Sequence, residues 1–240
     1  MNWTLKLSII IPAYNEEGTI IELIEYINSL EFPVDHEIII IDDGSLDRTF
    51  EKTAEFLNKS ADRLNIRIIR NAINKGKGYS IRKGIEHADG DIIVIQDADF
   101  EYDPKDIVKL ITPIMDGEAQ VVYGSRFLKA RWPTRMNIPN WIANKILTKL
   151  VNILFDVKLT DMETCYKTFK IDVVRDLKLK GDRFSFEPEV TSLIGKCKIR
   201  IKEVPISYTA RTTDEGKKIN ITDFFEAIKI LIGQRFFDSN

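Results

Sequence analysis

Cysteine is nearly absent from this 240-residue chain: Cys165 and Cys197 are the two it has. They form neither a C-x-x-C pair nor a disulfide framework, which suits a reducing compartment. An excess of charge of one sign is also missing. The net charge is −2, so no overall field favours nucleic acid, and none is expected as a partner. No apolar stretch reaches the roughly 18 to 20 residues that cross a bilayer, so any membrane contact is expected to be peripheral. The start, Met1-Asn2-Trp3-Thr4-Leu5-Lys6, has no basic region followed by a signal core. The expectation is a cytoplasmic location, peripheral on the cytoplasmic face of a membrane if lipid is involved. Internal repeats, low-complexity tracts and linkers are lacking too. What remains is a chain with 44% hydrophobic residues, long enough to bury a sizeable core.

The first half alternates short apolar runs with helical patterns, the signature of β-α-β units and a parallel sheet. Strands are predicted at Leu5 to Ile11, Glu37 to Ile41, Ile66 to Ile69, Ile92 to Ile95 and Gln120 to Tyr123. They are dense in isoleucine and valine rather than alternating, as in strands covered on both faces. Helical faces are carried by Ile20, Leu23, Ile24 and Ile27, by Phe50, Ala54 and Leu57, and by Ile107, Leu110, Ile111 and Ile114. The last begins at Asp103-Pro104, a cap followed by proline at the first helical position. In the second half a basic stretch from Lys129 to Asn140 leads into a helix over Trp141 to Phe155. A helix over Phe184 to Gly195, a strand over Ile199 to Ile206 and a helix over Asp223 to Phe237 follow. The two amphipathic helices, Trp141 to Phe155 and Asp223 to Phe237, have apolar faces that either complete the core or lie on lipid.

The most informative motif is Asp97-Ala98-Asp99, which leaves the buried run Ile92 to Ile95 after Gln96 alone. Two carboxylates there need a counter-ion or solvent. Mg²⁺ takes one or two carboxylates and fills its other positions with water and substrate phosphates, so the pair suits a metal-bound nucleotide diphosphate. By itself it also suits a strand end and a turn cap. The first strand ends in Pro12-Ala13-Tyr14-Asn15-Glu16, and parallel sheets bind ligands at such ends. Tyr14 can stack on a base and Glu16 can accept from base or ribose, or the segment is simply a turn. The second strand ends in Asp42-Asp43-Gly44-Ser45 with Asp47 close behind; Asp43 is the candidate acceptor for a nucleobase hydrogen bond. Asn74-Lys75-Gly76-Lys77-Gly78-Tyr79 opens a helix, where glycines admit close approach and the helix start attracts phosphate. Ile81 stands where a dinucleotide fingerprint needs its third glycine, and no Walker loop occurs. Lys75 and Gly76 are therefore placed near a sugar nucleotide. Arg211 to Lys218, with Lys217, reads as a basic loop that closes over phosphate or as a solvated charged loop.

I-P-A-Y-N-E, D-D-G-S-x-D, N-K-G-K-G and D-A-D, in this order, resemble the family 2 inverting glycosyltransferases with the GT-A fold, strongly over residues 5 to 130. Tyr123-Gly124-Ser125-Arg126 looks like the polyprenyl-phosphate sugar synthases, such as dolichyl-phosphate mannose and glucose synthases. The resemblance implies an α/β fold with a mostly parallel central sheet flanked by helices. It implies one domain over 1–240, with a nucleotide-sugar half at 5–128 and an acceptor half at 129–240. Pro12, Ala13, Tyr14, Glu16 and Asp43 would contact the nucleoside. Asp97 and Asp99, with Ala98 between them, would hold Mg²⁺ or Mn²⁺ and the diphosphate, and Glu101 would be an extra metal contact. Ser125, Arg126 and Arg135 would meet the lipid phosphate, joined by Arg211 and Lys217. Arginine suits that task because its planar fork pairs two phosphate oxygens.

The implied activity is transfer of glucose or mannose from a UDP- or GDP-hexose to a polyprenyl or dolichyl phosphate. Asp161-Met162-Glu163-Thr164 leaves a second option. In transferases acting on a sugar hydroxyl such a carboxylate is the general base, so Asp161 or Glu163 would be catalytic there. A nucleotidyltransferase would want a glycine- and arginine-rich loop after the first strand, which P-A-Y-N-E is not. A non-catalytic sugar-nucleotide sensor would bind without turnover.

Overall fold

The isoleucine-rich runs become strands of one seven-stranded sheet. The computed structural model describes residues 5–60, 65–128, 136–182, 185–210 and 221–237. Its strands are β1 (Lys6–Ala13), β2 (Asp35–Asp42), β3 (Ile66–Arg70), β4 (Ile92–Ile95), β5 (Val121–Ser125), β6 (Lys167–Lys170) and β7 (Ile201–Pro205), in the spatial order β3-β2-β1-β4-β6-β5-β7. β6 is antiparallel to β4 and β5, and every other pairing is parallel. The helices are α1 (Ile20–Ser29), α2 (Thr49–Ser60), α3 (Lys77–His87), α4 (Ile107–Met115), α5 (Ile138–Phe155), α6 (Ile171–Asp176), α7 (Phe186–Lys196) and α8 (Ile221–Phe236). This is the α/β, mostly parallel architecture that the motifs imply.

Burial explains the lack of alternation in the strands. Ile9, Ile10 and Ile11 of β1, Ile38 to Ile41 of β2 and Ile92 to Ile95 of β4 are all enclosed, because helices cover both faces. α1 buries the expected Ile20, Leu23, Ile24 and Ile27. Asp103 caps the 3-10 turn Pro104–Asp106 ahead of α4, its Oδ1 accepting from the Lys105 N–H at 3.0 Å. α5 starts three residues earlier than its apolar pattern does. Asn137 Oδ1 accepts from the Asn140 N–H at 3.0 Å and Pro139 occupies the first turn, so the cap lies inside the basic stretch.

β6, Lys-Thr-Phe-Lys, went unread, and the reason is physical. Lys167 is fully buried in it, its ammonium donating to the carbonyls of Met162 (2.9 Å) and Thr164. Those acceptors replace water, so a lysine sits where hydrophobic patterning forbids one.

The topology places the site. After β3 the chain crosses back to lay β4 on the other side of β1, so the β1 and β4 exits flank a crevice at the carboxyl edge. Because β6 runs the opposite way, the segment 160–166 that feeds it reaches the same edge, beside the exits of β4 and β5. Among the described residues no helix is long and apolar enough to cross a membrane.

Phe169 at the centre of β6 is fully buried and stands edge-on to Tyr123 at 6.4 Å between ring centres. Phe169→Ala is expected to cost about 3–5 kcal/mol of unfolding free energy, read by urea titration as a lower midpoint with an unchanged slope.

Candidate functional site

At the end of β1, Asn15 takes a left-handed conformation (φ 56°). That turn is sewn to the next loop: Asn15 N–H donates to Ser45 Oγ (3.0 Å), Leu46 N–H to Asn15 Oδ1 (2.8 Å) and Glu16 N–H to Thr49 Oγ1 (2.8 Å). Asp47 caps α2, its Oδ1 accepting from Thr49 N–H at 2.9 Å. Thr19 Oγ1 lies 3.0 Å from Glu16 Oε2 and 2.8 Å from the Ala98 carbonyl oxygen, linking the β1 turn to the acidic motif after β4. Pro12 and Ala13 lie within β1, with Ala13 buried, while Tyr14 and Glu16 are half-buried at its exit.

Asp43 is almost fully buried and does structural work. Its carboxylate accepts from the backbone N–H of Lys75 (3.0 Å) and Gly76 (2.6 Å) and from Asn71 Nδ2 (2.8 Å). Gly76 makes this possible with φ 96°, turning two successive amides onto one carboxylate. Gly78, two residues on, has no room for a side chain: a Cβ there would lie 2.5 Å from the Gly181 carbonyl oxygen. The exposed Lys75 side chain rests on the Tyr79 ring, its Nζ 4.2 Å from the centre.

Lys77, rather than Lys75, reaches the acidic pair. Its Nζ lies 2.8 Å from Asp97 Oδ1 and 3.2 Å from Glu187 Oε1 of α7. Burial works against its charge, but the neighbouring groups, Asp97 first, outweigh it and hold the ammonium well above the usual lysine range. Asp97 and Asp99 are both partly exposed, and Asp99 Oδ1 accepts from the Glu101 N–H at 2.9 Å. Glu101 turns elsewhere, its Oε2 accepting from Tyr208 Oη at 3.1 Å. A cavity of about 610 Å³ opens there, lined in part by Tyr26, Phe100, Glu101 and Tyr208. Among the described residues no three acidic, histidine or cysteine side chains converge as a ready metal cage.

Beyond the β5 exit, Arg126 is 8% exposed and pairs with the fully buried Asp161. Nε donates to Oδ2 and Nη2 to Oδ1, both at 2.7 Å, and the Arg126 N–H donates to Oδ2 at 3.0 Å. Burial alone would push the Asp161 carboxyl up; Arg126 overrides it and holds it below the usual carboxylate range. Asn144 of α5 donates to Asp161 Oδ1 at 2.8 Å, and Glu203 of β7 accepts from the Thr160 and Asp161 N–H groups. Ser125, fully buried, shares a 2.6 Å hydrogen bond with the Thr160 hydroxyl. Asp161 is thus enclosed against Arg126, and the Ser125 hydroxyl is turned toward Thr160.

Glu163 differs from Asp161. Its Oε1 is buried without a hydrogen-bond partner, and its carboxyl is pushed up to about 7 by burial, with Glu187 reinforcing the effect. Lys145 of α5 is half-buried over the Phe127 ring, 3.6 Å from its centre, and its pKa is lowered by burial. Lys77, Glu187 and Lys145 were missed in the sequence. Two lysines two apart give no sign of which turns inward, and α7 and α5 are far from the strand ends along the chain. Arg135, Arg211 and Lys217 lie outside the described residues.

Against known proteins, the description "Glycosyl transferase family 2" matches residues 8–178. The chain belongs to that family. Curated relatives include the dodecaprenyl-phosphate galacturonate synthase of Rhizobium johnstonii, 28% identical over 98% of this chain and 68% of that protein. The dolichol-phosphate mannosyltransferase of Pyrococcus furiosus is 30% identical over 89% of this chain and 59% of its own length. The chain thus spans some three-fifths to two-thirds of these two family members. Among solved structures, glucosyl-3-phosphoglycerate synthase of Mycobacterium tuberculosis, crystallised with Mn²⁺, UDP-glucose and phosphoglyceric acid, superposes with a TM-score of 0.70 at 19% identity, over 98% of this chain and 81% of that one. That likeness shows the shared GT-A fold. The chain is a glycosyltransferase domain, and the nucleotidyltransferase option falls away.

Two outcomes follow from the buried charges. Arg126→Ala strands the Asp161 carboxylate and is expected to cost about 3–5 kcal/mol in chemical denaturation. Glu163 is raised above its unfolded value, so its contribution to stability is fully present below about pH 4.5 and is lost as pH rises through about 7. Glu163→Gln is therefore expected to match wild type near pH 4.5 and to melt several degrees higher at pH 8, by differential scanning calorimetry.

Proposed function

We propose that this chain transfers a hexose, with inversion, from a nucleotide diphosphate sugar to a polyprenyl phosphate. The observation that carries the reading is one of placement: the partly exposed pair Asp97 and Asp99 and the buried Arg126 follow β4 and β5, the two parallel strands either side of β6, at the same edge of the sheet. Relatives named for dodecaprenyl-phosphate and dolichol-phosphate chemistry support it. Their sugars differ, so the fold and motifs leave glucose, mannose and other hexoses open, with UDP or GDP as carrier.

Asp97 and Asp99 fit a divalent cation. Two partly exposed carboxylates, two residues apart at a strand exit, suit a hard ion that keeps positions for phosphate oxygens and water. When bound there, Mg²⁺ or Mn²⁺ neutralises charge that develops on the leaving diphosphate. Lys77 holds Asp97 and adds a positive charge beside it. Tyr14, Glu16 and the loop pinned by Asp43 form the nucleoside side, with Pro12 and Ala13 as its floor. Arg126, kept charged and oriented by Asp161, receives the acceptor phosphate together with Lys145; Arg135, Arg211 and Lys217 are assigned the same task from sequence. An ionised phosphate needs no base, so positioning of its oxygen behind the anomeric carbon supplies much of the rate. The enzyme works where such lipids are, at the cytoplasmic face of a membrane.

A hydroxyl-directed transferase remains the second reading because of Glu163 alone. A carboxyl with one buried oxygen lacking a hydrogen-bond partner, pushed up to about 7, suits proton transfer near neutral pH.

The test is a product assay with UDP- and GDP-hexoses, Mn²⁺, and polyprenyl phosphate or glycan acceptors. Lipid-linked sugar is expected, with Asp99→Ala slower by about a thousandfold or more, as befits lost charge stabilisation, while its circular dichroism is unchanged. Product on glycan alone, with the rate lost in Glu163→Gln, would establish the second reading instead.

A further inference from the structure

Tyr208 stands between the two halves of the site. Its hydroxyl donates to Glu101 Oε2 at 3.1 Å, and Glu101 is two residues beyond Asp99. Its ring faces the Arg126 guanidinium, whose carbon lies 5.0 Å from the ring centre. Tyr102 also faces Arg126, at 6.0 Å, but its oxygen accepts from the Cys165 N–H at 3.1 Å. Of these two rings, Tyr208 is the one whose hydroxyl joins Arg126 to the acidic motif. The backbone around it is fixed. The Thr209 N–H donates to the Glu101 carbonyl at 3.0 Å, Tyr208 forms an antiparallel bridge with Tyr102, and the Ser207 N–H donates to Asp106. Movement here is therefore a matter of side-chain rotation. The cavity of about 610 Å³, lined in part by Glu101 and Tyr208, gives the carboxylate room to turn.

A phenol has one proton to donate. Burial pushes the Tyr208 phenol above the usual tyrosine range, so it stays a donor at neutral pH. While that proton serves Glu101, it cannot serve an anion seated on Arg126. The Glu101 N–H donates to Asp99 Oδ1 at 2.9 Å, which keeps the glutamate beside the acidic pair. A doubly charged ion on that pair attracts a carboxylate more strongly than a neutral phenol does. Glu101 thus has two competing partners, and Tyr208 has two competing acceptors.

We propose that Tyr208 makes acceptor binding follow donor binding. Without the donor, Glu101 holds the Tyr208 hydroxyl. With the donor and its cation seated, Glu101 turns to the cation, and the hydroxyl turns to the acceptor phosphate on Arg126. Only hydrogen bonds are exchanged. This rests on the nucleotide-sugar and lipid-phosphate reading above. The coupling is reciprocal: the factor by which the donor tightens the acceptor is the factor by which the acceptor tightens the donor.

The experiment is calorimetric titration of the full chain with farnesyl phosphate as a short acceptor probe. It is run alone and with Mn²⁺ plus UDP or GDP, whichever of the two binds. Wild type is expected to hold farnesyl phosphate about fivefold or more tightly when Mn²⁺ and the nucleotide are present. Farnesyl phosphate is expected to tighten the nucleotide by the same factor. Tyr208→Phe keeps the ring and is expected to abolish that factor, while its affinity for each ligand alone is unchanged. Glu101→Ala is expected to act in the opposite sense. With nothing holding the hydroxyl back, farnesyl phosphate alone binds it as tightly as it binds nucleotide-loaded wild type. Equal binding of farnesyl phosphate by wild type with and without nucleotide overturns the proposal, as does a factor that survives in Tyr208→Phe. Loss of both single-ligand affinities in Tyr208→Phe overturns it too and gives the ring a purely structural role. If wild type binds Mn²⁺ and nucleotide but takes farnesyl phosphate in neither state, the acceptor reading falls and this proposal with it.

Discussion

An arginine removed from water stays in place only if a carboxylate goes with it, and the acceptor side of this molecule is organised by that constraint. Arg126 and Asp161 are both enclosed, and each is the other's main source of compensation. Holding Asp161 in turn requires Asn144 from α5, and the adjoining backbone requires Glu203 from β7. Three segments distant in sequence thereby converge on one guanidinium. The nucleotide side uses the same device at smaller scale, where the Asp43 carboxylate gathers the amides of the glycine loop.

This arrangement separates two kinds of acidic residue that look alike in a string of letters. Asp43, Asp47 and Asp161 are tied by hydrogen bonds within the fold. Asp97, Asp99 and Glu163 keep either exposure or an unmatched oxygen, which is where chemistry has room to occur. Lys77 couples the second group to α7, so the acidic motif is held from the helix layer as well as from its strand.

Most of the parallel half was legible because its strands are near-continuous isoleucine and valine and its helices carry one clean apolar stripe. β4 was readable to the residue, and the start of α1 followed from periodicity; the Asp103 cap belongs to the 3-10 turn Pro104–Asp106, and α4 begins three residues later at Ile107. The failures share a cause. β6 is four residues long with a buried lysine, and α6 is six residues with little pattern. Their places are fixed by tertiary partners, which no local window contains. The motifs at strand exits were visible for the same reason the strands were, whereas Lys145 and Glu187 enter the site from helices whose distance from it in sequence hides their role. Sequence could also not say which face of α5 is covered. Its most regular isoleucine repeat is the exposed one, and the buried side includes Asn144 and Thr148.

The reversed direction of β6 has a consequence for assembly. During synthesis β4 and β5 both emerge before the strand that must sit between them. Until residues 167–170 arrive, each presents an unsatisfied row of amides and carbonyls to whatever is nearby, including other unfinished chains. A piece of this protein cut before Lys167 would keep β3-β2-β1-β4 with one raw flank. The sheet closes late, and self-association of the nascent chain is the hazard that this ordering creates.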